Sequence, residues 1–93
     1  MQRFTDRTII VTGSSSGIGE GIARRFAREG ANVVLNSRSR DDLAKVAGDL
    51  DERRTLIVDG DVSSAAFAKE IVTKTVERFG GLDVLCNNAG VGA

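Results

Sequence analysis

The chain has 93 residues, with 13 Lys+Arg against 13 Asp+Glu, one Cys, and no His, Tyr, Trp or Pro. That length holds a single domain able to bury roughly 60–65% of its unfolded surface, and 41% hydrophobic with 28% charged residues excludes a disordered or membrane-spanning chain. Without His there is no Ser-His dyad and no His-ligated metal, without Tyr no phenolic acid/base, and balanced charge gives no case for nucleic acid or anionic lipid.

Thr8-Ile9-Ile10-Val11 is a continuous, β-branched apolar run, as expected of a buried strand. It ends in Gly13-Ser14-Ser15-Ser16-Gly17, which is turn chemistry. Ile18, Ile22, Ala23, Phe26 and Ala27 then recur at helical spacing, and Gly30 supplies a stop. Arg24, Arg25 and Arg28 lie beside or opposite that stripe and read as a solvated face. Asn32-Val33-Val34-Leu35-Asn36 predicts a second strand. Ser39 is placed to cap a helix carrying Leu43, Val46, Ala47 and Leu50 on one face, with Asp41 and Asp42 suiting its first turn.

Leu56-Ile57-Val58 predicts a third strand, closed by Asp59-Gly60-Asp61. Ser63 or Ser64 caps a long helix whose apolar face holds Phe67, Ile71, Val72, Val76 and Phe79, and Gly80-Gly81 ends it. Val84-Leu85-Cys86 is a fourth strand, stopping at Asn87-Asn88-Ala89-Gly90. Four short buried strands alternating with three helices imply a parallel, doubly wound α/β sheet.

The loop Thr12-Gly13-Ser14-Ser15-Ser16-Gly17-Ile18-Gly19, between strand and helix, carries the main chemical signal. Residues without a Cβ let backbone approach a phosphate, and the following helix offers free N–H groups and a positive dipole end. Gly13 suits the sharp turn, Gly17 the close approach and Gly19 tight helix packing, while Ser14, Ser15 and Ser16 add hydroxyl donors. The spacing is Gly-x3-Gly-x-Gly, not the common Gly-x-Gly-x-x-Gly fingerprint.

Here the sequence resembles the short-chain dehydrogenase/reductase family. The resemblance rests on Thr12-Gly13-x3-Gly17-x-Gly19, on Asp61-Val62 after the third strand and on Asn87-Asn88-Ala89-Gly90 after the fourth. It implies a Rossmann-type sheet, incomplete at four strands, with residues 1–93 forming the N-terminal part of one NAD(P)-binding domain. It also implies that the loop from Gly13 to Gly19, Ile18 included, binds the dinucleotide. Asp61 would then bond the adenine amino group and Val62 line its pocket, against the alternative that Asp61 only stabilises the turn or precedes a cap. Asn87, Asn88, Ala89 and Gly90 would approach the cofactor ribose, and for Asn88 a second role, tying the central strands together, stands beside that one.

The tip of the second strand discriminates between cofactors. An NAD-selective site places an acidic side chain there against the adenosine ribose. Asn36-Ser37-Arg38 holds no carboxylate; Arg38 can form charge-assisted bonds to a 2′-phosphate and Ser37 adds a hydroxyl. The expectation is NADP(H) over NAD(H), against the alternative that Arg38 is a solvated loop charge. Ser16 departs from the basic residue many NADP-dependent members carry there. Cys86, in an apolar strand with no His or Lys beside it, reads as an inert small hydrophobe.

The family's proton-transfer set, a Tyr-x3-Lys pair with Ser and Asn, lies downstream of Asn-Asn-Ala-Gly, so no catalytic residue is assigned in this chain. The implied protein is an alcohol/ketone oxidoreductase, homo-oligomeric at full length, of which this chain is the cofactor-binding fragment. The alternatives are a non-catalytic dinucleotide-binding or interaction module and an inactive truncated relic. A fourth strand left as a sheet edge predicts aggregation or poor folding of the chain alone. Residues 1–6 lack a secretory leader's apolar stretch and a single Cys forms no internal disulfide, so the cytoplasm is the expected compartment.

Overall fold

The computed structural model describes residues 4–88. Four strands, β1 (Thr8–Thr12), β2 (Asn32–Asn36), β3 (Thr55–Ile57) and β4 (Val84–Cys86), form one sheet in the order β3-β2-β1-β4. Every neighbouring pair is parallel, with Ile10 opposite Val34 on one side and Leu85 on the other. Three α-helices connect them: α1 (Gly17–Arg28), α2 (Arg40–Ala47) and α3 (Ala65–Phe79). A short 3-10 turn at Glu52–Arg54 leads into β3. None of the described helices is long and apolar enough to cross a membrane.

Strand alternation divides the core between the two faces of the sheet. Ile9, Val11, Val33 and Leu35 pack with Ala23 of α1 and with Leu43 and Val46 of α2. Ile10 and Val34 point the other way and pack with Val58 and with Ile71 of α3. Two helices cover one face and a third the other. This is the doubly wound arrangement that the alternating pattern predicts.

Local chemistry sets the helix ends. Gly30 (φ 88°) lets the chain reverse after α1, with Ala31 N–H donating to the Phe26 carbonyl and Gly30 N–H to that of Ala27, each at 3.1 Å. The Ser39 hydroxyl caps α2 by accepting from Asp42 N–H, and that of Ser64 caps α3 by accepting from Phe67 N–H, both at 3.3 Å. Of the two serines proposed for α3, Ser64 is the cap. Gly80, in the left-handed region at φ 86°, ends that helix.

Several packing expectations need correction. Val72 and Val76 do not join the core; they are 39% and 43% exposed, and Thr75 is the residue buried instead. Its hydroxyl donates to the Ile71 carbonyl at 2.7 Å, which removes the cost of burying it. Ile18, in the first turn of α1, is 69% exposed rather than part of its buried stripe. β3 ends at Ile57, one residue before the expected Val58. Cys86 is half-buried rather than enclosed, as befits an edge strand; burial still pushes its thiol up.

Candidate functional site

The chain runs outward from β1 through β2 to β3, then crosses back to β4 on the opposite side of β1. At such a switch point, loops leaving the carboxyl ends of the strands part and open a crevice. A cleft of about 540 Å³ lies here. Gly13, Asn87 and Asn36 line it from the carboxyl ends of β1, β4 and β2. Ser37 and Arg38 form one wall and the segment from Gly60 to Ser63 the other.

The glycine loop has the backbone that its composition predicts. Gly13 (φ 63°) and Gly17 (φ 59°) both occupy the left-handed region. A Cβ at Gly17 would meet nothing within 4 Å, so the space above it is open. At Gly19 a Cβ would run into the Gly13 carbonyl and, at 2.7 Å, the Asn88 amide nitrogen. Helix α1 also differs from α2 and α3 at its start: its N-cap residue, Ser16, makes no side-chain capping bond. The loop therefore presents an uncapped helix N-terminus beside an opening that a side chain at Gly17 would narrow.

The hydroxyls of the loop do not act alike. Ser15 is half-buried and Ser16 exposed. Ser14 is fully buried, and its Oγ accepts from Asn36 N–H at 2.9 Å and donates to the Asn36 carbonyl at 3.3 Å. Rather than adding a donor at the cleft mouth, the Ser14 side chain ties the loop to β2.

Across the cleft, Asp61 Oδ1 accepts from the Ser63 N–H at 2.9 Å and from its hydroxyl at 2.7 Å. Those bonds, with a smaller contribution from the Arg38 charge, hold the Asp61 carboxyl below the usual carboxylate range. The turn-stabilising role is thus realised, while Asp61 also lines the cleft with Val62. Arg38 is exposed beside them. Behind the wall, Arg40 Nη1 pairs with Asp59 Oδ1 at 2.8 Å, which depresses the Asp59 carboxyl.

After β4, Thr12 Oγ1 donates to Asn87 Oδ1 at 3.1 Å and accepts from the Asn88 N–H at 2.8 Å. The Asn88 side chain donates to the Gly13 carbonyl at 3.4 Å. Asn88 thereby joins β4 to the glycine loop, which is the strand-tying role, while Asn87 lines the cleft. Ala89 and Gly90 lie outside the described residues.

Sequence reasoning missed Asn36 as a site residue. It is buried, lines the cleft, and its Nδ2 donates to the Val58 carbonyl at 2.8 Å and the Gly60 carbonyl at 3.3 Å. The available signal was an amide side chain closing the apolar run Val33-Val34-Leu35. The Arg40–Asp59 pair also went unread, because its partners are 19 residues apart.

Cleft and glycine loop together suit a dinucleotide: Gly13 of the loop and the cation Arg38 line the cleft, and the loop adds open space at Gly17 and a helix start with no side-chain cap. The family model described as short chain dehydrogenase matches residues 7–93. The chain is 40% identical over 89 residues to meso-2,3-butanediol dehydrogenase of Serratia marcescens, covering 96% of this chain and 36% of that protein. Among solved structures, glucose dehydrogenase of Caenorhabditis elegans in its apo form superposes with a TM-score of 0.88 at 40% identity, over 97% of this chain and 40% of that one. A short-chain dehydrogenase/reductase of unknown function from the same organism, solved with cofactor, gives 0.84 at 38% identity, over 89% and 32%. The chain spans about a third of the length of the curated relatives it matches. With glycine loop, sheet order and sequence match in agreement, the chain belongs to the short-chain dehydrogenase family.

Proposed function

We propose that this chain supplies the adenosine and pyrophosphate half of the cofactor site of an NADP(H)-dependent alcohol/ketone oxidoreductase. The observation that carries the choice of NADP(H) is Arg38 lining the cleft at the tip of β2, where Asn36-Ser37-Arg38 offers no carboxylate. A guanidinium there favours a 2′-phosphate, and a carboxylate would have repelled it.

In this reading the N–H groups at the start of α1 and the dipole of that helix hold the pyrophosphate, with Gly17 leaving space for it. Ser15 and Ser16 add hydroxyl donors at the loop. Arg38 and Ser37 hold the adenosine 2′-phosphate, while Asp61 and Val62 form the adenine wall. Ile18, exposed beside the loop, offers an apolar contact to the cofactor. Asn87, with Ala89 and Gly90, approaches the cofactor ribose. When bound, the nicotinamide supplies or accepts hydride.

Proton transfer to the substrate oxygen belongs to residues outside these 93, which contain neither Tyr nor His. The chain alone is therefore inactive in hydride transfer. The full-length enzyme is read as a cytoplasmic homo-oligomer acting on a small alcohol or ketone.

The test is Arg38→Ala in the full-length gene product, with both cofactors titrated by fluorescence. NADPH binding should weaken by about 1–3 kcal/mol while NADH binding stays nearly unchanged. Equal losses for the two would sink the assignment of Arg38.

A further inference from the structure

We propose that Asn36, together with Ser14, is a positioning residue that fixes the phosphate loop and the adenine wall relative to each other. The inference rests on the dinucleotide reading of the cleft, but not on the choice between NADP(H) and NAD(H).

Strand pairing between β2 and β3 ends at Leu35 and Ile57, with Val58 N–H still donating to the Leu35 carbonyl at 3.0 Å. Beyond that point the two chains must part to form the cleft. The Val58 and Gly60 carbonyls then have no strand partner, and Asn36 reaches both through its side-chain amide. A carboxamide suits this position because it carries two donors on one nitrogen. A hydroxyl would satisfy only one carbonyl, and a carboxylate neither.

The backbone of Asn36 faces the other way, toward the glycine loop. Its N–H donates to Ser14 Oγ at 2.9 Å, and its carbonyl accepts the Ser14 N–H at 2.9 Å. Ser14 follows Gly13, which lines the cleft, and Ser37 and Arg38 follow Asn36 directly. The Gly60 N–H returns to the Ser37 carbonyl at 2.9 Å. One residue, only 1% exposed, therefore joins the loop behind Gly13, the tip of β2 and the start of the adenine wall. Holding all three in place before binding removes the ordering that a ligand would otherwise have to impose.

The experiment compares Asn36→Ala with the parent full-length protein, titrating NADPH and NADH and measuring amide hydrogen exchange. Both cofactors should bind roughly tenfold more weakly, because the Val58 and Gly60 carbonyls lose their donor and the two walls loosen. The Gly60 amide should exchange faster while Ile10, Val34 and Ser14 keep their protection, Ser14 because its bonds to Asn36 use only that residue's backbone. Unchanged affinity despite faster exchange at Gly60 would make Asn36 scaffolding only and overturn the proposal. So would a loss confined to NADPH. Should Asn36→Ala fail to fold, Ser14→Ala removes a single hydroxyl from the same clasp, and a loss of about threefold or more for both cofactors is expected; no loss overturns the proposal. If Arg38→Ala leaves cofactor preference unchanged while Asn36→Ala weakens both, the NADP(H) reading falls and this one stands. A parent protein that binds neither dinucleotide overturns both.

Discussion

Gly19 in the first turn of α1 sits against the carbonyl of Gly13, so closely that a Cβ on Gly19 has no place to go. The decisive obstacle is backbone, the Gly13 carbonyl, which cannot swing aside as the end of a side chain such as the Asn88 amide can. Gly17, two residues earlier, has empty space around it. The two glycines thus serve opposite needs, one contact and the other clearance.

Gly19→Ala should therefore push α1 away from the loop and destabilise the fold by about 1–3 kcal/mol, with weaker dinucleotide binding beside it. Gly17→Ala faces a different penalty, since only its left-handed backbone at φ 59° resists the change. Thermal melts with and without cofactor distinguish the two cases. A Gly19→Ala protein with the parent melting temperature would refute the close packing.

The three helix N-termini make a second contrast. Ser39 and Ser64 spend their hydroxyls on capping bonds, whereas Ser16 spends none. Ser64→Ala should cost about 0.5–2 kcal/mol in chemical denaturation. Ser16→Ala should stay within about 0.5 kcal/mol, with its effect appearing in cofactor affinity instead. Equal destabilisation by both substitutions would mean that Ser16 caps α1 after all.

Much of this arrangement is legible in the sequence because it depends on local rules. Short β-branched runs such as Thr8-Ile9-Ile10-Val11 declare buried strands, and Ser39, Ser64, Gly30 and Gly80 act within a few residues of their own position. What stayed hidden depends on contacts distant in sequence. Thr75 and Val76 occupy adjacent helix positions, and only the placement of α3 over Ile10 and Val34 buries the first and exposes the second. Ser14 reads as one of three equivalent loop hydroxyls until β2, 22 residues later, takes its side chain. Asn36 likewise acquires its role from carbonyls beyond β3.

Acid should weaken the segment around Asp59 and Asp61 in a predictable direction. Asp59, bonded to Arg40, and Asp61, bonded to Ser63, both titrate below their ordinary value of 3.8. A carboxyl depressed in the folded state stabilises the fold above its unfolded pKa, and that contribution vanishes as pH falls through the folded one. The melting-temperature advantage of the parent over Asp59→Asn should thus be full near about pH 6 and shrink toward about pH 2. Both groups are exposed, so the difference should be small and salt-sensitive. An advantage that grows on acidification would contradict the Arg40–Asp59 pairing.

The α3 face of the sheet governs how the 93-residue chain behaves alone in solution. Leu85 stands in register with Ile10, so both occupy that face, yet Ile10 is covered by α3 and Leu85 is 57% exposed. Val72 and Val76 expose further apolar surface on α3 itself. Among the described residues β4 pairs only with β1, which leaves its outer hydrogen-bonding groups available to another strand. Apolar side chains beside an open edge favour self-association, because pairing satisfies backbone groups and buries hydrocarbon together. Light scattering of the 93-residue chain should rise with concentration. Leu85→Lys should lower that rise by placing a charge beside the edge, while the β1–β4 pairing, which uses backbone groups, persists. A chain that stays monomeric at every concentration, or a Leu85→Lys chain that associates as strongly as the parent, would show that this face is not the adhesive one.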